Sequence, residues 1–220
     1  MRSLFLNRVF RSLLLVSLIA LGAGCAHQPY DYSALKAADP HSILVIPPLN
    51  NTVEVNAPYI FLSSITSALG EKGYYVFPVA LVDQFMKDNG LPTPAEMNAA
   101  PLDKLRDIFH ADAVLYVSID DWGQQYQVLN SVAVVSSTWR LVDAKTGLEL
   151  WTGKAFAKQS SGDGGGGLAG MLVSAVVTQI AGSISDPTPN LSRMATYQAV
   201  NNGAVGLLPG HYLRAMGKAN

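Results

Sequence analysis

Ile43-Leu44-Val45-Ile46 is a continuous apolar run stopped by Pro47-Pro48. Four apolar residues without polar alternation mark a strand buried on both faces. From Pro58 the period changes. Tyr59, Leu62, Ile65, Thr66 and Leu69 recur three and four apart and predict a helix with one core-facing stripe. Pro58 suits its first turn, and Gly70 and Gly73 end it. Residues 74–77 predict a second strand, closed by Pro78. Residues 81–89 predict a short helix carrying Leu81, Val82, Phe85 and Met86. Thr93-Pro94-Ala95-Glu96 reads as a capping box, with Pro at the first helical position. Leu102, Leu105, Ile108 and Phe109 form another helical stripe, and residues 114–119 predict a third buried strand.

Strand, helix, strand, helix, helix, strand calls for right-handed crossovers and parallel neighbours. The pattern then changes. Residues 126–142 are rich in β-branched side chains, 143–147 read as a turn, and 148–158 as a further strand. Trp139 and Leu141, then Leu148 and Leu150, alternate with polar neighbours in a period of two. The predicted class is α/β: a mixed sheet with a parallel β-α-β start, an antiparallel hairpin and helices packed on the sheet. Residues 160–167 predict a flexible glycine loop. Residues 168–185 hold no charge, 186–189 break that run, 191–200 predict a last helix, and 207–212 a turn.

The amino terminus changes the picture. Arg2, Arg8 and Arg11 precede the apolar run of residues 13–21, then Gly22-Ala23-Gly24 and Cys25, the only cysteine. A positive start, an apolar stretch and small residues before a cut form a secretory signal. A cysteine just after the small residues resembles a lipoprotein signal. In such signals the thiol takes a diacylglycerol, the chain is cut before the cysteine, and the new amino group is acylated. The pattern usually has Leu three residues before the cysteine, whereas Gly22 stands here and Leu21 one further back. The alternatives are a non-lipid secretory signal and an uncleaved anchor. Nine residues are too few to cross about 30 Å of hydrocarbon as a helix. The predicted organisation is a signal over 1–24, a lipid anchor and tether over 25–40, and one α/β domain over 41–215. Ala26 follows the cysteine. In enteric-type sorting an Asp there holds a lipoprotein in the inner membrane, so Ala26 predicts the outer membrane, with the domain facing the periplasm.

Charge narrows the partners. Beyond residue 24 the chain holds 12 basic and 16 acidic residues, so nothing favours nucleic acid. Only 14% of all residues are charged and 49% are hydrophobic. Such a domain has a large core or buries surface against partners, including copies of itself. With Cys25 lipidated, no thiol remains for disulfides or cysteine-based metal binding.

Catalytic chemistry is hard to find. Gly165-Gly166-Gly167-Leu168-Ala169-Gly170 formally fits G-x-G-x-x-G. A dinucleotide site needs the first strand of a βαβ unit before it and an acidic strand end about 20 residues later. Here a hairpin arm precedes it, and helix residues and Asp186-Pro187 follow, so a mobile glycine loop is the preferred reading. His27, His41, His110 and His211 show no helical metal-pair spacing. Asp120-Asp121 follows the third predicted strand at its carboxyl end, where α/β folds often bind ligands, although adjacent acids in a turn are usually solvated. Neither a G-x-S-x-G elbow nor an H-E-x-x-H motif occurs, and Ser137 and Ser161 have no partner pattern to make them nucleophiles. The prediction is a non-enzymatic protein without a cofactor or metal. Residues 168–185 read as a core or subunit-interface helix in preference to a membrane-contacting one, because Ser174, Thr178 and Gln179 dilute it.

Residues 102–119 (LDKLRDIFHADAVLYVSI) and 139–153 (WRLVDAKTGLELWTG), with residues 43–48, carry a resemblance. They are similar to envelope lipoproteins related to the curli-export lipoprotein CsgG and to the amino-terminal domain of TolB. Within that set, most of residues 25–215 resembles a family of bacterial lipoproteins of unknown function. The resemblance implies a TolB amino-terminal-type α/β domain and a CsgG-like envelope partner. It brings no catalytic residues, only Cys25, and the chain lacks the pore-forming amphipathic β segment of CsgG. The implied role is an outer-membrane accessory or scaffold subunit of a secretion or transport complex. The alternative is a periplasmic module holding a small ligand near Asp120-Asp121 or the glycine loop.

Overall fold

A computed structural model describes residues 29–126, 131–160 and 186–217. The chain divides into two units, Met1–Tyr30 and Asp31–Asn220, and every element below belongs to the second. In chain order they are α1 (Ser33–Ala38), β1 (Ser42–Val45), β2 (Leu49–Asn50), α2 (Ala57–Glu71), β3 (Tyr75–Val76), α3 (Val79–Asp88), α4 (Pro94–Asn98), α5 (Leu102–Phe109), β4 (Ala113–Tyr126), β5 (Ser131–Asp143), β6 (Glu149–Ser160), α6 (Thr188–Val200) and α7 (His211–Ala215). The sheet runs β3-β1-β4-β5-β6, with β2 also beside β4. β1 lies parallel to β3 and β4, and β2 parallel to β4. β4, β5 and β6 form an antiparallel meander. The mixed α/β sheet with a parallel start and an antiparallel hairpin is therefore the observed architecture.

Register explains which residues meet. Ile43 pairs with Ala113 and Val45 with Leu115, while Leu115 pairs with Leu141 and Val117 with Trp139. Paired residues point to the same face. That face meets α2 and α6: Phe61 lies edge-on to Trp139 at 5.7 Å, and Trp139 to Trp151 at 5.9 Å. A buried hydroxyl pair, Ser64 Oγ and Ser192 Oγ at 3.2 Å, ties α2 to α6. Leu44, Ile46 and Val114 point the other way, into a cluster with Val82, Met86, Met97 and Leu105 from α3, α4 and α5. β1 is thus covered on both faces, as its unbroken apolar run predicts. Thr93 closes the capping box of α4: its Oγ1 accepts from Glu96 N–H at 3.3 Å, and its own N–H donates to Glu96 Oε2 at 3.0 Å.

Three stretches differ from the pattern. Residues 33–38, inside the stretch read as tether, form α1, which buries Leu35 and packs on β6. Its six residues offer only one apolar anchor, too few for a visible period. The stretch 207–212, read as a turn, opens at His211 into α7. The third strand is far longer than residues 114–119, because β4 continues to Tyr126 through a bulge. Ile119 pairs with Ser137 and Asp121 with Ser136, so Asp120 has no residue opposite it.

α2 ends in a Schellman motif. The Tyr74 N–H bonds to Leu69 O at 3.2 Å and the Gly73 N–H to Gly70 O at 3.0 Å, with Gly73 at φ 89°. Tyr74 is thereby carried inward. Its O–H donates to Leu208 O at 2.9 Å, and burial pushes its phenol well above the usual tyrosine range, with Arg214 offsetting part of that. A raised phenol favours the fold while protonated. Its contribution is complete below about pH 10 and is lost as pH rises through the folded value. Tyr74→Phe is expected to cost about 1 kcal/mol at neutral pH. The same change should flatten the alkaline loss of stability, measured by urea unfolding between neutral pH and about pH 11. Equal alkaline slopes for both proteins would count against this role for Tyr74.

Candidate functional site

The residues singled out from sequence separate in space. Cys25, His27, the glycine loop with Ser161, and the uncharged stretch 168–185 lie outside the described residues. Asp120 and Asp121 do not end a strand but sit within β4. The bulged Asp120 accepts from Thr138 Oγ1 at 2.8 Å and from Ser118 Oγ at 3.2 Å, and Asn51 Nδ2 donates to Ser118 Oγ at 2.9 Å. Both carboxylate oxygens are therefore committed to a polar network linking β4, β5 and the end of β2. Ser137 is buried, and its Oγ accepts from Trp139 Nε1 at 2.7 Å, which makes it a support for the indole. His110 caps α5 in the left-handed region, φ 53°, and its N–H bonds to Arg106 O at 2.8 Å. Its role is to turn the chain into β4.

The fold brings together a group that spacing conceals. Asp39 and His41 lie near the start of the domain and His211 lies 170 residues beyond His41, yet one donor atom from each falls within 4.8 Å of the others. The two imidazoles stack at 3.6 Å between centroids and 26° between planes. Tyr212 stands edge-on to His211 at 5.5 Å. Arg214 donates to the Asp39 carboxylate and to Pro209 O. The sequence signal was only the presence of histidines. Their proximity depends on α7, whose start is bonded to the end of α2 through Gly210 N–H to Lys72 O at 2.7 Å and Tyr212 N–H to Gly73 O at 3.1 Å.

The surface carries a second feature. Beside the β3 edge, aromatic rings form a chain: Tyr75 to Phe77 at 5.2 Å, Phe77 to Phe109 at 6.3 Å, and Phe109 to Phe85 at 5.3 Å. Tyr75 and Phe85 are exposed, as are Leu81, one turn before Phe85, and Ile108, beside Phe109. The stripes of α3 and α5 contain more apolar residues than their core contacts use. Val82, Met86 and Leu105 are buried, while Leu81, Phe85 and Ile108 face water. Contiguous exposed aromatic surface is the composition of a protein-contact core. On the next part of that sheet face, Arg140 lies 5.2 Å over the Tyr116 ring, and burial raises the Tyr116 phenol while Arg140 opposes the rise. Among the described residues no helix is long and apolar enough to cross a membrane.

Comparison with known proteins gives these features a family. Residues 30–212 match the family model described as "Putative lipoprotein GNA1162-like". The curated "Putative lipoprotein NMB1124/NMB1162" of Neisseria meningitidis serogroup B (strain ATCC BAA-335 / MC58) is 44% identical over 190 residues, covering 85% of this chain and 88% of that one. The crystal structure of lipoprotein GNA1162 from Neisseria meningitidis is 49% identical with a TM-score of 0.55, covering 66% of this chain and 100% of that one. A PelC dodecamer from Paraburkholderia phytofirmans is a more distant likeness, 14% identical with a TM-score of 0.47, over 78% of this chain and 90% of that one. The matched segment takes in every described element from α1 to the start of α7, so the chain belongs to the GNA1162-like lipoprotein family, whose members are anchored in the cell envelope.

Proposed function

We propose that this lipoprotein works by contact, as a non-enzymatic accessory or scaffold subunit of an envelope secretion or transport complex. Cleavage before Cys25 and acylation of that residue hold it in the outer membrane. The following residues tether an α/β domain that faces the periplasm. Its partner is a CsgG-like lipoprotein, and copies of the chain associate with one another. The observation that carries the reading is the exposed apolar surface of Tyr75, Leu81, Phe85 and Ile108 beside the β3 edge. An apolar surface of this kind gains free energy when a partner removes it from water, at about 25 cal/mol per Å².

The lipidated protein, purified in mild detergent, is expected to bring down an envelope partner. Leu81→Glu and Ile108→Glu place charges on exposed positions and leave the core intact. Together they should lower partner recovery by about tenfold or more. A protein that stays alone, yet gains thermal stability with a small molecule, would support the ligand-binding module in its place.

A further inference from the structure

We propose that Asp39, His41 and His211 form a binding site for a divalent transition metal of the zinc class. Two segments supply the donors: the short link from the carboxyl cap of α1 to β1, with Asp39 and His41, and the start of α7, with His211. Each donor's backbone is fixed independently of the others. His41 N–H donates to Asp112 Oδ2 at 3.0 Å, and its carbonyl accepts from Tyr75 N–H at 2.9 Å. Gly210, just before His211, is pressed against Gly73, where even a Cβ would come within 2.3 Å of the Gly73 carbonyl oxygen. Asp39 holds φ 40°, a left-handed conformation that turns the chain from α1 back toward His41.

The donor set selects the ion. Two imidazole nitrogens and one carboxylate oxygen suit Zn²⁺ and its neighbours, with a fourth position left to water. Magnesium and calcium demand a shell of oxygens, which this group does not offer. Tetrahedral bonds of about 2.0 Å place donors roughly 3.3 Å apart. The present spread of 4.8 Å closes by rotation of side chains that are exposed or half-buried. A cation already occupies the carboxylate, since Arg214 donates to Asp39. The group therefore attracts positive charge, and Arg214 competes with the metal for it. A bound ion would join the chain entering β1 to the last helix, clamping both ends of the domain in one coordination sphere. This inference is independent of the contact role proposed above.

The test uses the untagged full chain in detergent, stripped of metal by a chelator and titrated with ZnCl₂ against a chromogenic competitor. One Zn²⁺ per chain is expected, with a rise in Tm on loading. His41→Ala and His211→Ala should each weaken binding by at least about tenfold, by analogy with the loss seen when metal-site shells are disturbed. His211→Gln, which keeps the side chain's bulk, should do the same without loss of fold. Arg214→Gln should tighten binding by removing the competing cation, and His27→Ala should leave it unchanged. Absence of stoichiometric binding, or equal affinity in a His41→Gln/His211→Gln double variant, would overturn the assignment.

Discussion

Trp139→Ala is expected to lower the stability of the domain by about 3–5 kcal/mol, the largest loss of any single core substitution. Trp139 is fully buried, held between Phe61 of α2 and Trp151 of β6. Each aromatic pair contributes about 0.5–1.5 kcal/mol beyond area burial. The residue across the ladder from Trp139 is Gly153, and a Cβ there would come within 2.3 Å of the Trp151 ring. The Trp151 ring thus occupies the space that a side chain at 153 would fill. Removing the neighbouring indole leaves a void against Phe61 and Trp151. It also strands Ser137 Oγ, which accepts the indole N–H at 2.7 Å in a buried setting. Urea unfolding measures the loss. The exposed Phe156 gives the contrast, because Phe156→Ala should stay within about 0.5 kcal/mol of wild type. A loss below about 1 kcal/mol for Trp139→Ala would contradict this account of the core.

Cys25→Ala should move the protein from the membrane fraction to the soluble one and abolish labelling by radioactive fatty acid. The reason is additive burial of methylenes, at about 0.8 kcal/mol each. One acyl chain binds a bilayer marginally and several hold it stably. Among the described residues no helix is long and apolar enough to cross a membrane. The substitution falls outside the Asp31–Asn220 unit, whose Tm is expected to stay unchanged. Retention of both membrane association and label in Cys25→Ala would refute lipidation at this residue.

Elements with one dominant period were legible in the sequence. The β1 run, the α2 helix and the Thr93 capping box each encode their structure locally, although in the α2 stripe Tyr59 faces water and Phe61 takes the core position. The antiparallel hairpin was legible for the same reason: Trp139, Leu141 and Leu150 alternate and are buried. Leu148 obeys the same alternation but is exposed, because it lies before β6 begins at Glu149. What local pattern could not show depends on remote partners. Asp120-Asp121 looks like a turn until β5 supplies pairing on both sides of the bulge. α1 is too short to carry a period and buries a single leucine. Asp39, His41 and His211 become neighbours only when α7 docks on the end of α2, through bonds between backbone groups that have no side-chain signature. The exposed half of the α3 and α5 stripes was hidden differently. A stripe reports that residues are apolar, and only the fold shows which of them the core leaves uncovered.

The central claim is that a lipid at Cys25 presents a contact surface to an envelope partner. Cross-linking in intact cells tests it most directly, comparing wild type, Cys25→Ala and the Leu81→Glu/Ile108→Glu double variant at matched abundance. The account predicts a discrete partner set for the wild type, dominated by an envelope protein. The double variant should lose that set while remaining membrane-bound, and Cys25→Ala should lose it while remaining folded. A partner set identical in all three proteins, or none in the wild type, would contradict it.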